Sequence, residues 1–133
     1  MEAKVLIYRM EESRIQAVEA LCRSLQITPV RVDAAQEKTP VGLLTGNADF
    51  RQLAAEAARA AAQADGAGAV DEEMIVMSAL TKSQFDALLD GLRQSGVRIG
   101  LKAVETDVNR SWSGERLQTE LKKEREAFRA SGR

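Results

Sequence analysis

The N-terminal part of the chain alternates between short apolar runs and one amphipathic stretch. Residues 5–8 form an apolar run that predicts a strand, and residues 27–32 alternate between apolar and polar side chains, which predicts a second strand. Between them, residues 11–25 carry apolar side chains three or four positions apart, the spacing of a helix with one buried face. Pro29 favours a place at the edge of the sheet, because proline has no N–H to donate. The pattern predicts a β-α-β unit.

The same pattern returns farther along the chain. Residues 74–77 are another apolar run, and residues 97–103 alternate in the manner of a half-buried edge strand. Thr81 and Gln84 have the spacing of a capping box, which predicts where the intervening helix begins, and Gly96 marks its end. These elements predict a second β-α-β unit.

The two units correspond at an offset of seventy positions, so that Ile15 matches Phe85 and Cys22 matches Leu92. We interpret the correspondence as an internal duplication within a single domain, residues 1–133. We expect the first unit at residues 1–33, an Ala-rich helical connection at residues 34–72, and the second unit with a C-terminal helix at residues 73–133.

Two further helices are expected outside the duplicated units. Asp49 is placed to cap an Ala-rich helix that runs to about Ala64, and Gly66 then interrupts the helical pattern. Ser113 is the expected N-cap of the final helix, which carries a thin apolar stripe along a charged surface.

The distribution of apolar residues also predicts the sheet. The first and third strands are apolar on both faces and should be central, whereas the second and fourth alternate and should lie at the edges. The long connection between the second and third strands suits a parallel crossover. We therefore predict a three-layer α/β fold with a four-stranded, mainly parallel sheet in the order 2-1-3-4 and two helices on each face. A ferredoxin-like α+β fold with extra helices is the alternative.

Composition excludes several classes of function. The formal net charge is −1 with acids and bases interleaved, so a nucleic-acid partner is not expected. No apolar stretch is long enough to cross a membrane, and no signal peptide is evident, which together predict a cytoplasmic protein. The chain has no histidine and a single cysteine, Cys22, so Ser-His and Cys-His nucleophiles, disulfides and thiolate zinc sites are excluded. No cofactor or metal is expected.

The most distinctive motif is L-K-A-V-x-T-x-x-N-x-x-W, at residues 101–112. On this motif the chain resembles a small bacterial family of domains of unknown function, best from residue 74 to about residue 128. Asp107 stands where many relatives would carry proline, so the turn is less rigid here. The resemblance implies no known activity; it supports the fold and leaves the function open.

The candidate ligand-binding residues follow from this motif and from the ends of the central strands. Lys102, Thr106 and Asn109 offer a cation, a hydroxyl and an amide near a helix N-terminus, a combination that suits an anion. In a parallel sheet, Arg9 and Ser78 would end the two central strands at the same rim.

Each candidate also has a structural interpretation. Trp112 is included among the candidate ligand-binding residues, but it is also placed to pack on the last helix as a hydrophobic staple. Asn109 is suited to closing a turn through its own backbone, and Lys102 to protecting an edge strand from pairing.

The leading functional hypothesis is a non-catalytic binding, regulatory or interaction module. It would self-associate or bind a protein partner, with a small anionic ligand at the strand ends. The alternative is an enzyme that acts on a small anionic substrate with Lys102 as base or nucleophile, which requires that Lys102 be desolvated.

Overall fold

The computed structural model describes residues 1–63 and 68–132, and it contains the predicted strands and long helices. In chain order the elements are β1 (Lys4–Tyr8), α1 (Glu12–Ser24), β2 (Thr28–Val32), a 3₁₀ turn (Ala34–Gln36), α2 (Val41–Thr45), α3 (Phe50–Gln63), β3 (Met74–Ser78), α4 (Lys82–Gln94), β4 (Leu101–Val104) and α5 (Gly114–Gly132). The one-turn helix α2 was not predicted. The expected helix end near Ala64 and the break at Gly66 lie outside the described residues.

The last strand is shorter than its alternating pattern predicts. The alternation begins at Val97, but β4 begins only at Leu101. Ile99 is nevertheless almost fully buried, so its place in the alternation reflects contact with the core and not strand pairing. The preceding turn contains Gly96 at φ 74°, a left-handed conformation that glycine adopts without strain.

The strand order is β2-β1-β3-β4, as predicted, but the strand directions differ from the prediction. β1 pairs with β2 and β3 pairs with β4 in parallel, whereas β1 and β3 are antiparallel. The sheet is therefore mixed and not mainly parallel. The physical reason is that apolar residues on both faces show that a strand is central and carry no information about its direction.

The mixed sheet shares one property with the ferredoxin-like alternative, because its two central strands run in opposite directions. It differs in that each β-α-β unit keeps its two strands side by side, whereas a split unit would have a strand of the other unit between them. The structure is thus two complete β-α-β units joined through β1 and β3.

A pseudo-two-fold axis relates the two units. In the β1–β3 ladder Leu6 lies opposite Val76, and these residues are the same position of the two units, seventy residues apart. β1 and β3, and likewise α1 and α4, have matching bounds at that offset. Backbone conformations repeat as well, since Arg9 and Ala79 both have positive φ (52° and 60°). The repeated β-α-β unit predicted from the sequence is present in the structure.

The correspondence extends into the segment that follows each edge strand. Thr28 and Leu101 hold equivalent places in the two parallel ladders, so the offset there is 101 − 28, or 73 residues. At that offset Pro40 corresponds to Ser113, and these two residues form an antiparallel bridge with each other. The short helix α2 and the long helix α5 therefore begin at equivalent positions.

The sheet is covered on both faces. Helices α1 and α4 cover one face, where the buried residues are Val5, Ile7, Val18, Cys22, Ile27, Ile75, Met77, Leu88, Leu92 and Ile99. Helices α2 and α5 cover the other face, where the buried residues are Leu6, Tyr8, Val32, Val41, Val70, Met74, Val76, Leu101, Ala103 and Leu117. This agrees with the predicted three layers. No helix of the described residues is long and apolar enough to cross a membrane.

Candidate functional site

Arg9 and Ser78 lie at opposite ends of the sheet. Because β1 and β3 are antiparallel, Ser78 pairs with Lys4 at the start of β1, whereas Arg9 follows the end of β1. Arg9 forms a bidentate ion pair with the buried carboxylate of Glu37 (2.6 and 3.0 Å), and Ser78 Oγ accepts a hydrogen bond from Asn47 Nδ2 (2.8 Å). The expectation that these residues meet at a common rim is wrong, since it rested on a parallel sheet.

Thr106 and Asn109 hold the turn after β4. Asn109 Oδ1 accepts a hydrogen bond from the Thr106 N–H (2.8 Å), and Thr106 Oγ1 accepts one from the Asn109 N–H (3.2 Å). Asp33 and Gln36 make the same reciprocal pair at the equivalent position of the first unit. The repeated arrangement shows that this pair of side chains closes the turn after each edge strand.

Trp112 lies where the first unit meets the start of α5. Its carbonyl accepts a hydrogen bond from the Val41 N–H (2.9 Å), and the Arg116 guanidinium lies 4.4 Å from the centre of its ring. The side chain packs on the core cluster that contains Leu117. Ser113 is the N-cap of α5, as predicted, since its hydroxyl accepts a hydrogen bond from the Arg116 N–H (3.1 Å). These contacts agree with the structural interpretation of Trp112.

Lys102 does not lie beside Thr106 and Asn109 of the turn. Its side chain projects from the face of β4 opposite to that of Leu101 and Ala103. Its neighbours Leu101 and Ala103 are buried beneath α5, so the alternation of the strand directs Lys102 toward the α4 side, where it is exposed. Its Nζ donates a hydrogen bond to the carbonyl of Ile99 (2.7 Å). Of the six residues predicted to bind a ligand, Lys102 alone lines the groove described next.

That groove lies between the C-terminal half of α4 and the chain that leads into β4. It has a volume of about 460 Å³, and we call it the α4–β4 groove; it is lined by Leu89, Leu92, Arg93, Gly96, Val97, Arg98, Ile99 and Lys102. Leu92 and Ile99 are buried and form its base, whereas the three cations are exposed at its mouth. The lining contains no carboxylate among the described residues. Arg93 pairs with Asp90, which lies outside the lining.

In the first unit an ion-pair network joins the helix to the edge strand, and it includes Glu19, the equivalent of Leu89 in the groove. Arg31, on edge strand β2, donates to both carboxylate oxygens of Glu19 (2.8 and 2.9 Å) and to Glu12 (2.9 Å) on α1. The pKa of Glu19 is lowered, mainly by the hydrogen bonds that it accepts from Arg31. An ion-pair network therefore joins helix and edge strand in the first unit. Its counterparts in the second unit are Lys82, Leu89 and Val104, of which Leu89 lines the groove.

The second unit lacks each member of that network. Leu89 stands at the position of Glu19, Lys82 at that of Glu12, and Val104 at that of Arg31. Val104 is about as exposed as Arg31 (46 % and 47 %), but it has no charged group to pair with α4. The ion-pair network is thus a specific difference between two otherwise equivalent units.

Sequence reasoning selected Lys102 but missed Arg93, Arg98 and the apolar base of the groove. The available signal was the loss of a charge between the units, with Leu89 standing at the position of Glu19. Alignment of the apolar positions alone does not detect it, because apolar periodicity reports the core and not the surface.

Other chemistry is limited in the part of the chain that the structure describes. No group of three or more acidic, cysteine or histidine residues there could hold a metal ion. The lone thiol, Cys22, is fully buried, and burial raises its pKa to about 11, which keeps it protonated and unreactive near neutral pH.

Comparison with known proteins bears on the second unit. Residues 73–128 match the family described as Domain of unknown function (DUF3783). The match confirms the resemblance inferred from the L-K-A-V-x-T-x-x-N-x-x-W motif, over nearly the same residues. No curated protein and no solved structure matches the chain. The DUF3783 segment contains the complete α4–β4 groove and not the ion-pair network of the first unit.

Proposed function

We propose that the protein is a non-catalytic binding module, that its site is the α4–β4 groove, and that its ligand is a small anion. The supporting observation is that three cations, Arg93, Arg98 and Lys102, surround a groove whose lining has no carboxylate among the described residues. The chain as a whole carries a net charge of −1, so this cluster differs from the average surface. A local cluster of like charges attracts a counter-ion.

The first unit supports this assignment by contrast. There Glu19, the equivalent of the groove residue Leu89, forms an ion pair with Arg31, which also pairs with Glu12. In the second unit Lys82 and Leu89 stand at the positions of the two glutamates, and of the three groove cations only Arg93 has a cation, Arg23, at its first-unit position. An anionic ligand would supply the negative charge that the lining of the groove lacks.

The enzyme hypothesis gains less support from the same geometry. Lys102 is exposed, and its Nζ donates to the Ile99 carbonyl, whereas a lysine that acts as base or nucleophile needs a desolvated site. No acidic or imidazole side chain among the described lining residues is placed to exchange a proton with it. The arrangement suits binding of an anion better than proton transfer.

The test is titration of ¹⁵N-labelled protein with inorganic phosphate, and separately with acetate, followed by amide chemical shifts. Exposed ion pairs contribute at most about 1 kcal/mol each, so weak, salt-sensitive binding is expected. Shifts should concentrate at Gly96, Arg98 and Lys102 and leave the equivalent turn at Gln26 unchanged. The double variant with Arg98→Gln and Lys102→Gln should bind about tenfold or more weakly.

Arg23→Gln is the matched control, because Arg23 is the first-unit equivalent of Arg93 and is exposed on α1. It should leave the titration unchanged. Shifts that are spread evenly over both units, or an unchanged affinity in the double variant, would overturn the proposal.

A further inference from the structure

The α4–β4 groove combines its cations with an apolar base. From this we infer, resting on the proposed function, that the ligand is an aliphatic carboxylate, with its chain along the apolar base and its charge at the mouth. Leu89, Leu92, Val97 and Ile99 provide the apolar contacts; Leu92 and Ile99 are each only 4 % exposed. Leu89 and Val97 are the more exposed of the four, and a fully hydrated inorganic anion would leave their apolar surface facing water.

The size of the groove suits a small molecule. Its volume of about 460 Å³ falls within the usual range of small-molecule sites, ~300–1,000 Å³. It is open on one side, so a chain could lie along it while its charged end stays near water at Arg98 and Lys102. The separation of apolar base and cationic mouth matches a ligand with one apolar and one charged end.

A peptide added as a fifth strand fits the same place less well. β4 has only four residues, and the carbonyl of Val104 already accepts a hydrogen bond from Asn109 Nδ2 (3.0 Å). The exposed lysine at position 102 further discourages strand addition. The observations therefore favour a small amphipathic anion over a peptide backbone.

The chain length of the ligand provides the decisive experiment. The dissociation constants of acetate, butanoate, hexanoate and octanoate are measured on the full chain by amide shifts in one buffer. Burial of each additional methylene should tighten binding about fourfold until the groove is full. Octanol and octylammonium, which match octanoate in chain length but lack its negative charge, should bind at least about tenfold more weakly than octanoate.

A second variant tests the position of the chain. Leu89→Glu with Val104→Arg introduces the ion pair that Glu19 and Arg31 form in the first unit, so the protein should fold normally. The carboxylate at position 89 lies in the groove lining and should abolish octanoate binding. The fold of this variant is checked by the thermal unfolding midpoint. Leu43→Glu with Val108→Arg is the control, because both residues are exposed elsewhere on the surface; it should bind octanoate as the unmodified protein does.

The outcomes separate the two proposals. If all four carboxylates bind with similar affinity at the groove, the aliphatic assignment is wrong and the anion site stands. If neither phosphate nor any carboxylate binds there, the proposed function itself is wrong. If octanoate binds but the Leu89→Glu, Val104→Arg variant binds it equally well in a folded state, the chain does not lie in this groove and the inference is overturned.

Discussion

Leu21 of α1 packs directly over Gly91 of α4. A Cβ built on Gly91 would stand 2.7 Å from Leu21 Cδ1, closer than side-chain atoms normally approach. The two residues are seventy positions apart, so they are the same position of the two units and meet on the pseudo-two-fold axis. Two leucines cannot occupy one place on such an axis, which explains why the units differ here in side-chain size.

This contact predicts a strong coupling between the two positions. Gly91→Leu should destabilise the protein by about 1–3 kcal/mol through overpacking. Leu21→Gly should also destabilise it, through lost apolar contact and a flexible helix residue. The double variant exchanges the large and small partners and should recover at least about 1 kcal/mol relative to the sum of the single changes. Urea unfolding of the four proteins gives the coupling energy; simple additivity would contradict the packing described.

Tyr8 is a fully buried residue at the end of β1, and its hydroxyl has no hydrogen-bond partner among the described residues. Burial raises its pKa, and the nearby charge of Glu37 raises it further. Because a buried hydroxyl without a partner costs free energy, Tyr8→Phe should increase the free energy of unfolding by about 1 kcal/mol. Thermal or urea unfolding measures the change, and a loss of stability would show that the hydroxyl has a partner in solution.

Gly114 is the complementary position, because a Cβ there would collide with the ring of Tyr8. Gly114→Ala should therefore destabilise the protein by about 1–3 kcal/mol. Gly100→Ala is a suitable comparison, since its Cβ would meet mainly the end of the flexible Glu72 side chain. The Gly100 variant should cost clearly less in the same unfolding measurement; equal costs would argue against close contact between Tyr8 and α5.

The ion-pair network of the first unit predicts a dependence of stability on pH. Hydrogen bonds from Arg31 are the first cause that lowers the pKa of Glu12 and of Glu19. A lowered pKa in the folded state means that the stabilisation is complete above the unfolded value of about 4.3 and is lost as the pH falls through the folded value. Arg31→Met should therefore destabilise the protein near neutral pH and have a smaller effect below about pH 4.

Urea unfolding near neutral pH and in acid checks this prediction. Arg51→Met is the control, because Arg51 is an exposed arginine on α3, away from this network. If the difference in unfolding free energy between the Arg31 variant and the unmodified protein stays constant with pH, Arg31 contributes through packing alone.

The strand positions could be predicted because apolar periodicity reports burial. Central strands, edge strands and the capping box of Thr81 and Gln84 all follow from local pattern, and the structure contains them. The relative direction of β1 and β3 could not be predicted, since an apolar face is the same in both directions. The strand direction determines whether the candidate residues meet, because in the antiparallel arrangement Arg9 and Ser78 lie at opposite ends of the sheet.

Gln118 of α5 is fully buried and binds the backbone just before β3. Its Oε1 accepts hydrogen bonds from the N–H groups of Asp71 (3.0 Å) and Glu72 (3.3 Å), and its Nε2 donates to the carbonyl of Glu72 (2.9 Å). Asn47 makes the same paired contact with Glu2 before β1, at 3.2 and 2.9 Å, but on the exposed side of the molecule. Both units thus use a side-chain amide to fix the approach to the central strand.

Because the Gln118 amide is more buried than the Asn47 amide, its removal should lower the free energy of unfolding by more. Gln118→Met keeps the length of the side chain but leaves backbone groups without partners where water does not reach, so it should cost about 2–3 kcal/mol. Asn47→Ala should cost less, about 1–2 kcal/mol, because water can replace the contacts with Glu2 and only the hydrogen bond to the buried Ser78 hydroxyl is lost without replacement. Amide hydrogen exchange at Asp71 and Glu72 should accelerate in the Gln118 variant even under conditions where the rest of the chain stays protected. Unchanged exchange there would mean that packing of α5, and not the amide, holds the start of β3.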